Sequence, residues 1–477
     1  MRRLPLLAVI ALLVLSGCTA PISTTGLETD ELGVVGGYAY DDTLEIDDPT
    51  ALTEEELEAV TYRAMARIEV LRGLAFEEEV DVEVTSREEF DAEGWYDGSA
   101  DRFTNELWRG AFVVDGETDA NEAFSTLYAD AVAGYYSNGQ VVIVSDDPDE
   151  HRISRTTLVH ELVHALQDQH FGLTRDGETL DERRAEQGVI EGEADYLPQL
   201  YDQRCEEEWE CLEDGDLDVT PLEERPINPA LFLSIYTPYS EGPAFVDHLR
   251  AEGGWAAVDT AYDERPASTT QVIHPERYPD AAPVDVEVED RSSSAWEPMT
   301  ADGETRTETV GEATLFATLW ADGVIDRPLT EGVEPYSVYN YSHPATDGWA
   351  GDTFLAYESE SGEEVGHVWE LAWESPDDAE QFQDAYVDLL TTNGAEPLGD
   401  GAYLIDDGAF SGAYAVDRDG EDVRIVGGPS VDDLEGIGGP STASTVAEQS
   451  ATAPTPAVAP SAGPTAPAPT AAEAVFE

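Results

Sequence analysis

Two histidines one helical turn apart constrain this chain more than any other feature of its sequence. They belong to His160-Glu161-Leu162-Val163-His164, which spells H-E-x-x-H inside the stretch TLVHELVHALQDQHF. The apolar residues of this stretch recur at helical spacing and share one broad arc, from which both imidazoles point away. We therefore predict a helix that docks its apolar arc on a sheet and presents both histidines to a cleft.

Two histidines four residues apart, with a glutamate directly after the first, indicate a metal site. Two neutral imidazole nitrogens can bind one Zn²⁺, and a neighbouring carboxylate can take a proton from water. The sequence thus predicts His160 and His164 as zinc ligands and Glu161 as the general base of a metallohydrolase, specifically a peptidase. The alternative is an ordinary amphipathic helix with two surface or core histidines. With 8 histidines in 477 residues, chance produces the pattern only about 0.01 times per chain.

A catalytic zinc site needs a third protein ligand and an open position for water. The segment DERRAEQGVIEGEADYLPQLYDQ reads as a second helix, which Pro198 should end or kink. Glu191 and Asp195 share a face of this helix, so Glu191 is the candidate ligand and Asp195 the acceptor for the free N–H of a liganding histidine. Glu193 is the rival ligand, because it lies about 200° round the helix from Glu191 and both cannot serve.

H-E-x-x-H followed by a helix that carries E-x-x-x-D resembles the gluzincin type of zincin metallopeptidase. The resemblance implies one Zn²⁺ held by His160, His164 and Glu191, with Glu161 as the base. It also implies that Asp195 supports a liganding histidine from behind.

A wider resemblance extends over roughly residues 52–430. The strings HELVHALQDQHF, EGEADYL, YSEGPAFVDHLRAEGGWAAVDTAY and STTQVIHPERY resemble uncharacterised prokaryotic zincin-like surface proteins, including haloarchaeal ones. This resemblance leaves a second function open, that of a non-catalytic envelope or surface protein that retains a zincin-like scaffold.

A hydrolase must also stabilise the oxyanion that forms when water attacks a carbonyl. His274 and Tyr239 are candidates for this role, as a histidine or tyrosine is in related peptidases. Both lie in the aromatic, helix-rich segment 226–290, which we expect to close the other side of the cleft. A packed or surface role is the alternative for each.

The acidic excess restricts the partners. The formal charge is −80, from 103 acidic and 23 basic residues, and every basic residue is arginine. Such a charge repels nucleic acid, so we expect a peptide or protein substrate and no nucleic-acid partner. Salt screens the self-repulsion, and the composition is therefore typical of a halophilic protein. The 41% hydrophobic content argues against a wholly disordered chain.

The N-terminus reads as a lipoprotein signal peptide. An arginine pair precedes an apolar run shorter than a membrane span, and the run ends in LSGC, which resembles a lipobox with Cys18 as the lipidated residue. We expect an extracytoplasmic, cell-surface protein that contacts the membrane through its lipid alone. Outside the cell the other two cysteines, Cys205 and Cys211, should form one local disulfide.

The remaining patterns predict an α+β protein. Its first domain is zincin-like, with a mixed sheet, an active-site helix and a ligand helix, and a smaller α+β domain follows. We predict five segments: signal peptide 1–18, tether 19–50, zincin-like metallopeptidase domain 51–295, small α+β domain 296–437 and Ala/Pro/Thr-rich disordered tail 438–477.

Local signals define several elements. Thr53 and Glu56 fit a capping box at a helix start, Val80–Val84 alternates like a strand, and Asn138-Gly139 predicts a hairpin turn. In the second domain Ser375 should cap a helix. Strands are expected near residues 353–358, 367–373, 402–405 and 423–426.

Overall fold

The computed structural model describes residues 32–49, 51–91, 98–128, 132–145, 153–212 and 227–439. The lipobox residue Cys18 and the tail from residue 440 lie outside these ranges. Across them the fold is α+β, with 12 α-helices and several sheets. No helix in these ranges is long and apolar enough to cross a membrane.

The part of the chain before residue 290 is mainly helical. Its elements in chain order are β1 (Val34–Val35), β2 (Tyr38–Ala39), α1 (Glu54–Arg72), β3 (Asp81–Ser86), α2 (Arg87–Asp91), α3 (Arg102–Gly110), α4 (Ala120–Tyr128), β4 (Gly134–Ser137), β5 (Gln140–Ser145), α5 (Arg155–His170), α6 (Leu180–Glu207), α7 (Pro229–Gly253), α8 (Trp255–Asp263) and α9 (Thr269–Ile273). The predicted capping box is confirmed, because Thr53 and Glu56 exchange side-chain-to-backbone hydrogen bonds at the start of α1.

A small mixed sheet supports the H-E-x-x-H helix. Its strand order is β3-β5-β4, with β3 parallel and β4 antiparallel to the central β5. The predicted hairpin is confirmed, since Asn138 (φ 52°) and Gly139 (φ 84°) supply the two left-handed residues that a tight hairpin turn needs. α5 packs on β4 and β5, with Leu158 and Leu162 fully buried beside Ile143.

The second predicted helix, α6, is longer than the sequence suggested. The sequence predicted that Pro198 would end or kink this helix. α6 continues through Pro198 to Glu207, so the first of these two alternatives was wrong. Leu197 and Tyr201, on either side of the proline, are buried in the core, and this packing offsets the cost of about 3 kcal/mol for a proline inside a helix.

A disulfide ties the last turn of α6 to the segment that follows the helix. It joins Cys205 to Cys211, with 5.6 Å between their Cα atoms. Both cysteines pack against the core that contains α1, α5 and α6.

The later part of the chain builds a large antiparallel sheet. Its elements are β6 (Trp296–Pro298), β7 (Thr300–Ala301), β8 (Glu304–Thr305), β9 (Thr307–Glu308), α10 (Gly311–Ala321), β10 (Trp349–Ser359), β11 (Val365–Trp373), α11 (Pro376–Thr392), β12 (Glu396–Gly399), β13 (Ala402–Ile405), β14 (Gly412–Asp419), β15 (Asp422–Gly428) and α12 (Val431–Ile437). The strand order is β12-β13-β14-β15-β11-β10-β6, and β9 also pairs with β10. The predicted cap at Ser375 is confirmed, whereas β12 and β14 were not predicted.

One hydrophobic core spans the boundary expected near residue 295. It combines Leu107 of α3 and Leu231 of α7 with Phe316 of α10 and with Phe354 and Trp369 of the large sheet. A second core joins α1, α5, α6, α8 and β5, and it is this second core that positions the H-E-x-x-H helix. The large sheet therefore packs directly on helices from the earlier part of the chain.

Candidate metal centre

Both histidines of the H-E-x-x-H segment lie on one face of α5. The helix begins at Ser154, whose side chain accepts a hydrogen bond from the backbone N–H of Thr157. His160 and His164 are 3% and 8% exposed. Their Nε2 atoms are 3.1 Å apart, so the two rings are directed at a common point.

Glu191 of α6 completes the group. Its Oε2 lies 3.5 Å from His160 Nε2 and 3.2 Å from His164 Nε2. The three residues each offer one ligand atom, and these atoms lie within 4.8 Å of one another. This is the convergence of two imidazoles and one carboxylate that the sequence predicted.

Each ring is held from behind by a side-chain acceptor. His160 Nδ1 lies 2.7 Å from Asp195 Oδ1, and His164 Nδ1 lies 2.8 Å from Gln167 Oε1. Gln167 Nε2 donates to the carbonyl oxygen of Ile190 at 2.9 Å. Because only the amide nitrogen can donate to that carbonyl, Oε1 must be the atom that faces His164. Both histidines therefore carry their proton on Nδ1.

This tautomer gives the group an unusual hydrogen-bond balance. With Nδ1–H donating on each ring, the two Nε2 atoms present lone pairs to each other and to the Glu191 carboxylate. Three acceptors then converge without a donor among them, which is unfavourable unless additional protons or a cation lie between them. Two histidine nitrogens and one carboxylate oxygen form a common ligand set for catalytic zinc, so the residues fit this ion.

Glu193, the rival ligand, points elsewhere. It forms an ion pair with Arg72 and accepts a hydrogen bond from the Tyr262 hydroxyl, and it is only 1% exposed. Gln167 Nε2 lies 3.4 Å from its Oε2. Glu191 thus lies beside the two histidines, whereas Glu193 is buried next to Gln167, on the side of His164 away from Glu191.

Glu161 lies beside the group but outside it. It is 3% exposed, and its carboxylate makes no hydrogen bond to any residue in the described ranges. Burial raises the pKa of Glu161, while the charges of His160 and His164 oppose that rise. A carboxylate with a raised pKa and no protein partner is suited to exchange a proton with water.

Charge coupling within the group is strong. Burial alone would raise the pKa of Glu191, but His164 and His160 outweigh it and hold that pKa well below its usual range. Burial alone would lower the pKa of His160, but Asp195 outweighs it and raises that pKa. Without a metal, the carboxylates would recruit protons to the imidazoles, as expected for acceptors that lack a cation.

Two glycines bring α7 against α6. A Cβ atom on Gly192 would lie 2.5 Å from the backbone of Gly242, and one on Gly242 would lie 2.6 Å from the carbonyl oxygen of Gly188. The backbones of α6 and α7 therefore touch next to Glu191. Neither this crossing nor the role of Gln167 was predicted, although the Gly188–Gly192 spacing of four and the position of Gln167 one turn after His164 were visible signals.

The crossing brings one of the two candidate oxyanion donors near the group. Tyr239 of α7 stacks on Tyr236, with ring centroids 5.7 Å apart. Burial raises the pKa of Tyr239, and the negative charges of Glu191, Asp195 and Glu161 raise it further. The phenol therefore stays protonated and can donate a hydrogen bond.

The other candidate, His274, belongs to a different group. Its Nε2 lies 2.9 Å from Glu312 Oε1 and 3.8 Å from Asp347 Oδ1. Within the described ranges it forms no hydrogen bond or ion pair with His160, His164 or Glu191.

Comparison with known proteins assigns a family only to the later part of the chain. Residues 297–438 match the family described as a domain of unknown function (DUF8575). This range includes the large sheet from β10 to β15 and excludes α5 and α6. Neither a curated protein nor a solved structure is similar to the chain.

Proposed function

We propose that this protein is a zinc-dependent peptidase, tethered to the outer surface of the cell by a lipid on Cys18. The observation that carries the enzymatic part is the convergence of His160 Nε2, His164 Nε2 and the Glu191 carboxylate, with both Nδ1 atoms already donating to other side chains. The anchor rests on the LSGC segment alone.

His160, His164 and Glu191 would hold the zinc, with Asp195 and Gln167 fixing the two rings. When bound, zinc supplies a Lewis acid that polarises a carbonyl and makes water more acidic. Glu161 is the residue that accepts the proton of the attacking water and passes it to the departing amine. It is buried, and its carboxylate has no hydrogen-bond partner among the described residues; both observations support this assignment.

Tyr239 is the candidate that stabilises the oxyanion. Its hydroxyl is the only remaining sequence candidate near the group, because His274 pairs with Glu312 instead. Loss of one oxyanion donor typically lowers kcat about 10²–10³-fold. We expect Tyr239→Phe to lower kcat by this amount with little change in bound zinc.

The decisive test compares Glu161→Gln with the wild type in molar NaCl, with zinc loaded and an unfolded protein as substrate. General acid–base catalysis is worth about 10²–10⁴-fold, so the variant should lose that much kcat/KM and keep its zinc. Asp168→Asn is the matched control, because Asp168 is an exposed carboxylate on the same helix. It should retain full activity.

Equal activity of Glu161→Gln and wild type would remove Glu161 from the mechanism. Tight zinc binding without hydrolysis of any peptide would instead favour the non-catalytic surface protein with a retained zincin-like scaffold.

A further inference from the structure

A second histidine–carboxylate group lies where the large sheet meets the helical part of the chain. His274 follows the last residue of α9, Glu312 is in the first turn of α10, and Asp347 lies in the turn that precedes β10. Three segments far apart in sequence thus each contribute one side chain to this group, which we call the interface group.

The ligand atoms of the interface group have the spacing of a metal site. His274 Nε2 is 2.9 Å from Glu312 Oε1 and 3.8 Å from Asp347 Oδ1. One ligand atom from each of the three residues lies within 4.8 Å of the other two. Ligands at about 2.0–2.2 Å from one zinc ion are separated by distances of this order.

Two carboxylate oxygens of the group are buried without a hydrogen bond. Glu312 is fully buried, and its Oε2 has no hydrogen-bond partner among the described residues. The same is true of Asp347 Oδ1, the atom that faces His274. Buried carboxylate oxygens are normally paired, because leaving one unpaired costs about 1–3 kcal/mol or more.

The nearby arginines do not supply the missing charge. Arg277 donates to Glu374 Oε1 and to the backbone oxygen of Asp347, and Arg327 donates to the backbone oxygens of Asn340 and Ser342. Neither guanidinium reaches the carboxylates of Glu312 or Asp347. With two carboxylates and one imidazole, the interface group stays negative even when His274 is protonated.

We propose that His274, Glu312 and Asp347 bind a second divalent metal ion, separate from the zinc expected at His160, His164 and Glu191. An imidazole nitrogen among the ligands favours a transition metal such as Zn²⁺ over Ca²⁺ or Mg²⁺, which prefer oxygen ligands alone. The ion would tie α9 to α10 and to the turn before β10. It would therefore stabilise the contact between the helical part of the chain and the DUF8575-matching region.

The test uses the full chain with His160→Ala and His164→Ala, which removes the first candidate site. Wild type, this background and the background with Asp347→Asn are stripped with chelator, reloaded with Zn²⁺ and dialysed against molar NaCl. The salt displaces ions held loosely by surface acids. Bound zinc is then measured by atomic spectrometry, and the melting temperature is measured with and without zinc.

We expect two zinc ions in the wild type, one in the background and none after Asp347→Asn. Zinc should raise the melting temperature of the background and leave that of the Asp347→Asn variant unchanged. Glu363→Gln, which removes an exposed carboxylate, should keep one ion in the same background. Glu312→Gln should behave like Asp347→Asn; if it does not fold, the half-exposed Asp347 position still decides the matter.

No zinc in the background, or one ion retained after Asp347→Asn, overturns the proposal. A melting shift with Ca²⁺ but not with Zn²⁺ overturns the class of ion. One ion in both the wild type and the background would support the interface site and count against the first site, so the two proposals fail separately.

Discussion

The His160, His164 and Glu191 group can be compared with another buried group, the His367 group, which consists of His367 on β11 with Glu106 and Arg109. In the His367 group the Glu106 carboxylate accepts three hydrogen bonds: from Arg109 Nη2 at 2.8 Å, from Arg109 Nε at 2.9 Å and from His367 Nδ1 at 2.7 Å. The carboxylate there faces three donors. Between His160, His164 and Glu191, the facing atoms are all acceptors once both Nδ1 protons are assigned.

The comparison shows that residue types alone do not distinguish a structural ion pair from a candidate metal site. Both groups combine buried histidine with glutamate, and both link segments distant in sequence. In the His367 group the charges of Glu106 and Arg109 cancel, and the Glu106 carboxylate faces donors only. The atom left without a hydrogen-bond partner among the described residues is His367 Nε2, on the far side of the ring from Glu106. In the other group two neutral imidazoles and Glu191 present only acceptors to one another, and either a metal ion or added protons would balance them.

The largest loss of stability should come from breaking the ion pair between Glu106 and Arg109. Glu106→Gln leaves the Arg109 charge buried without a counter-ion, which typically costs about 3–5 kcal/mol. Denaturant unfolding in high salt measures this loss. Glu358→Gln, which breaks the exposed ion pair with Arg102, should cost less than about 1 kcal/mol. Similar losses for both variants would remove the distinction between buried and exposed pairs.

Glu191→Gln and Glu193→Gln should then have different defects, the first in zinc binding and the second in folding stability. Glu193→Gln leaves the buried Arg72 with only the partly exposed Asp259 as its anionic partner, so the free energy of unfolding should fall by about 3 kcal/mol while zinc is retained. Glu191→Gln should lose zinc. Zinc content and denaturant unfolding, measured on both variants, separate the two roles. If Glu193→Gln lost zinc and Glu191→Gln retained it, Glu193 and not Glu191 would be the ligand.

Acid should abolish the stabilisation that Glu106 provides. Burial alone would raise the pKa of Glu106, but Arg109 and His367 outweigh it and lower that pKa to about 2. Because the folded-state pKa lies below the unfolded value of 4.5, the stabilisation is complete above about pH 4.5 and is lost as the pH falls through 2. The loss amounts to about 3 kcal/mol.

The measurement is the difference in unfolding free energy between wild type and Glu106→Gln across this range. The difference should be constant at neutral pH and shrink below pH 4.5. A difference that is independent of pH down to 2 would contradict the ion-pair account.

The smallest effect is expected behind His164, one of the proposed zinc ligands. Gln167→Leu removes the acceptor of His164 Nδ1–H, and loss of such an outer partner typically weakens metal affinity about 10–100-fold. Competition with a chelator measures the change. Gln169→Leu is the control, because Gln169 is on the same helix and contacts Glu77 and Glu78 instead. Equal affinity for both variants would mean that Gln167 does not position the ring.

Local patterns predicted the elements that local chemistry specifies. The Thr53 capping box, the Asn138-Gly139 hairpin and the Ser375 cap each depend on residues a few positions apart. Long-range packing was not predictable in this way. α6 continues past Pro198 because tertiary contacts stabilise it, and His274 pairs with Glu312 because α9 and α10 meet across 38 residues of sequence.

The sequence by itself determined that His160, Glu161 and His164 share one turn of helix, because helical periodicity alone sets that geometry. It also restricted the third ligand to one of two glutamates on the next helix. Only the tertiary structure places Glu191 and not Glu193 beside the two imidazoles, since the orientation of α6 about its axis depends on the close contact of Gly192 with Gly242 and on the attraction of Glu193 to Arg72. Those partners lie 50 and 121 residues away, beyond the reach of any local pattern.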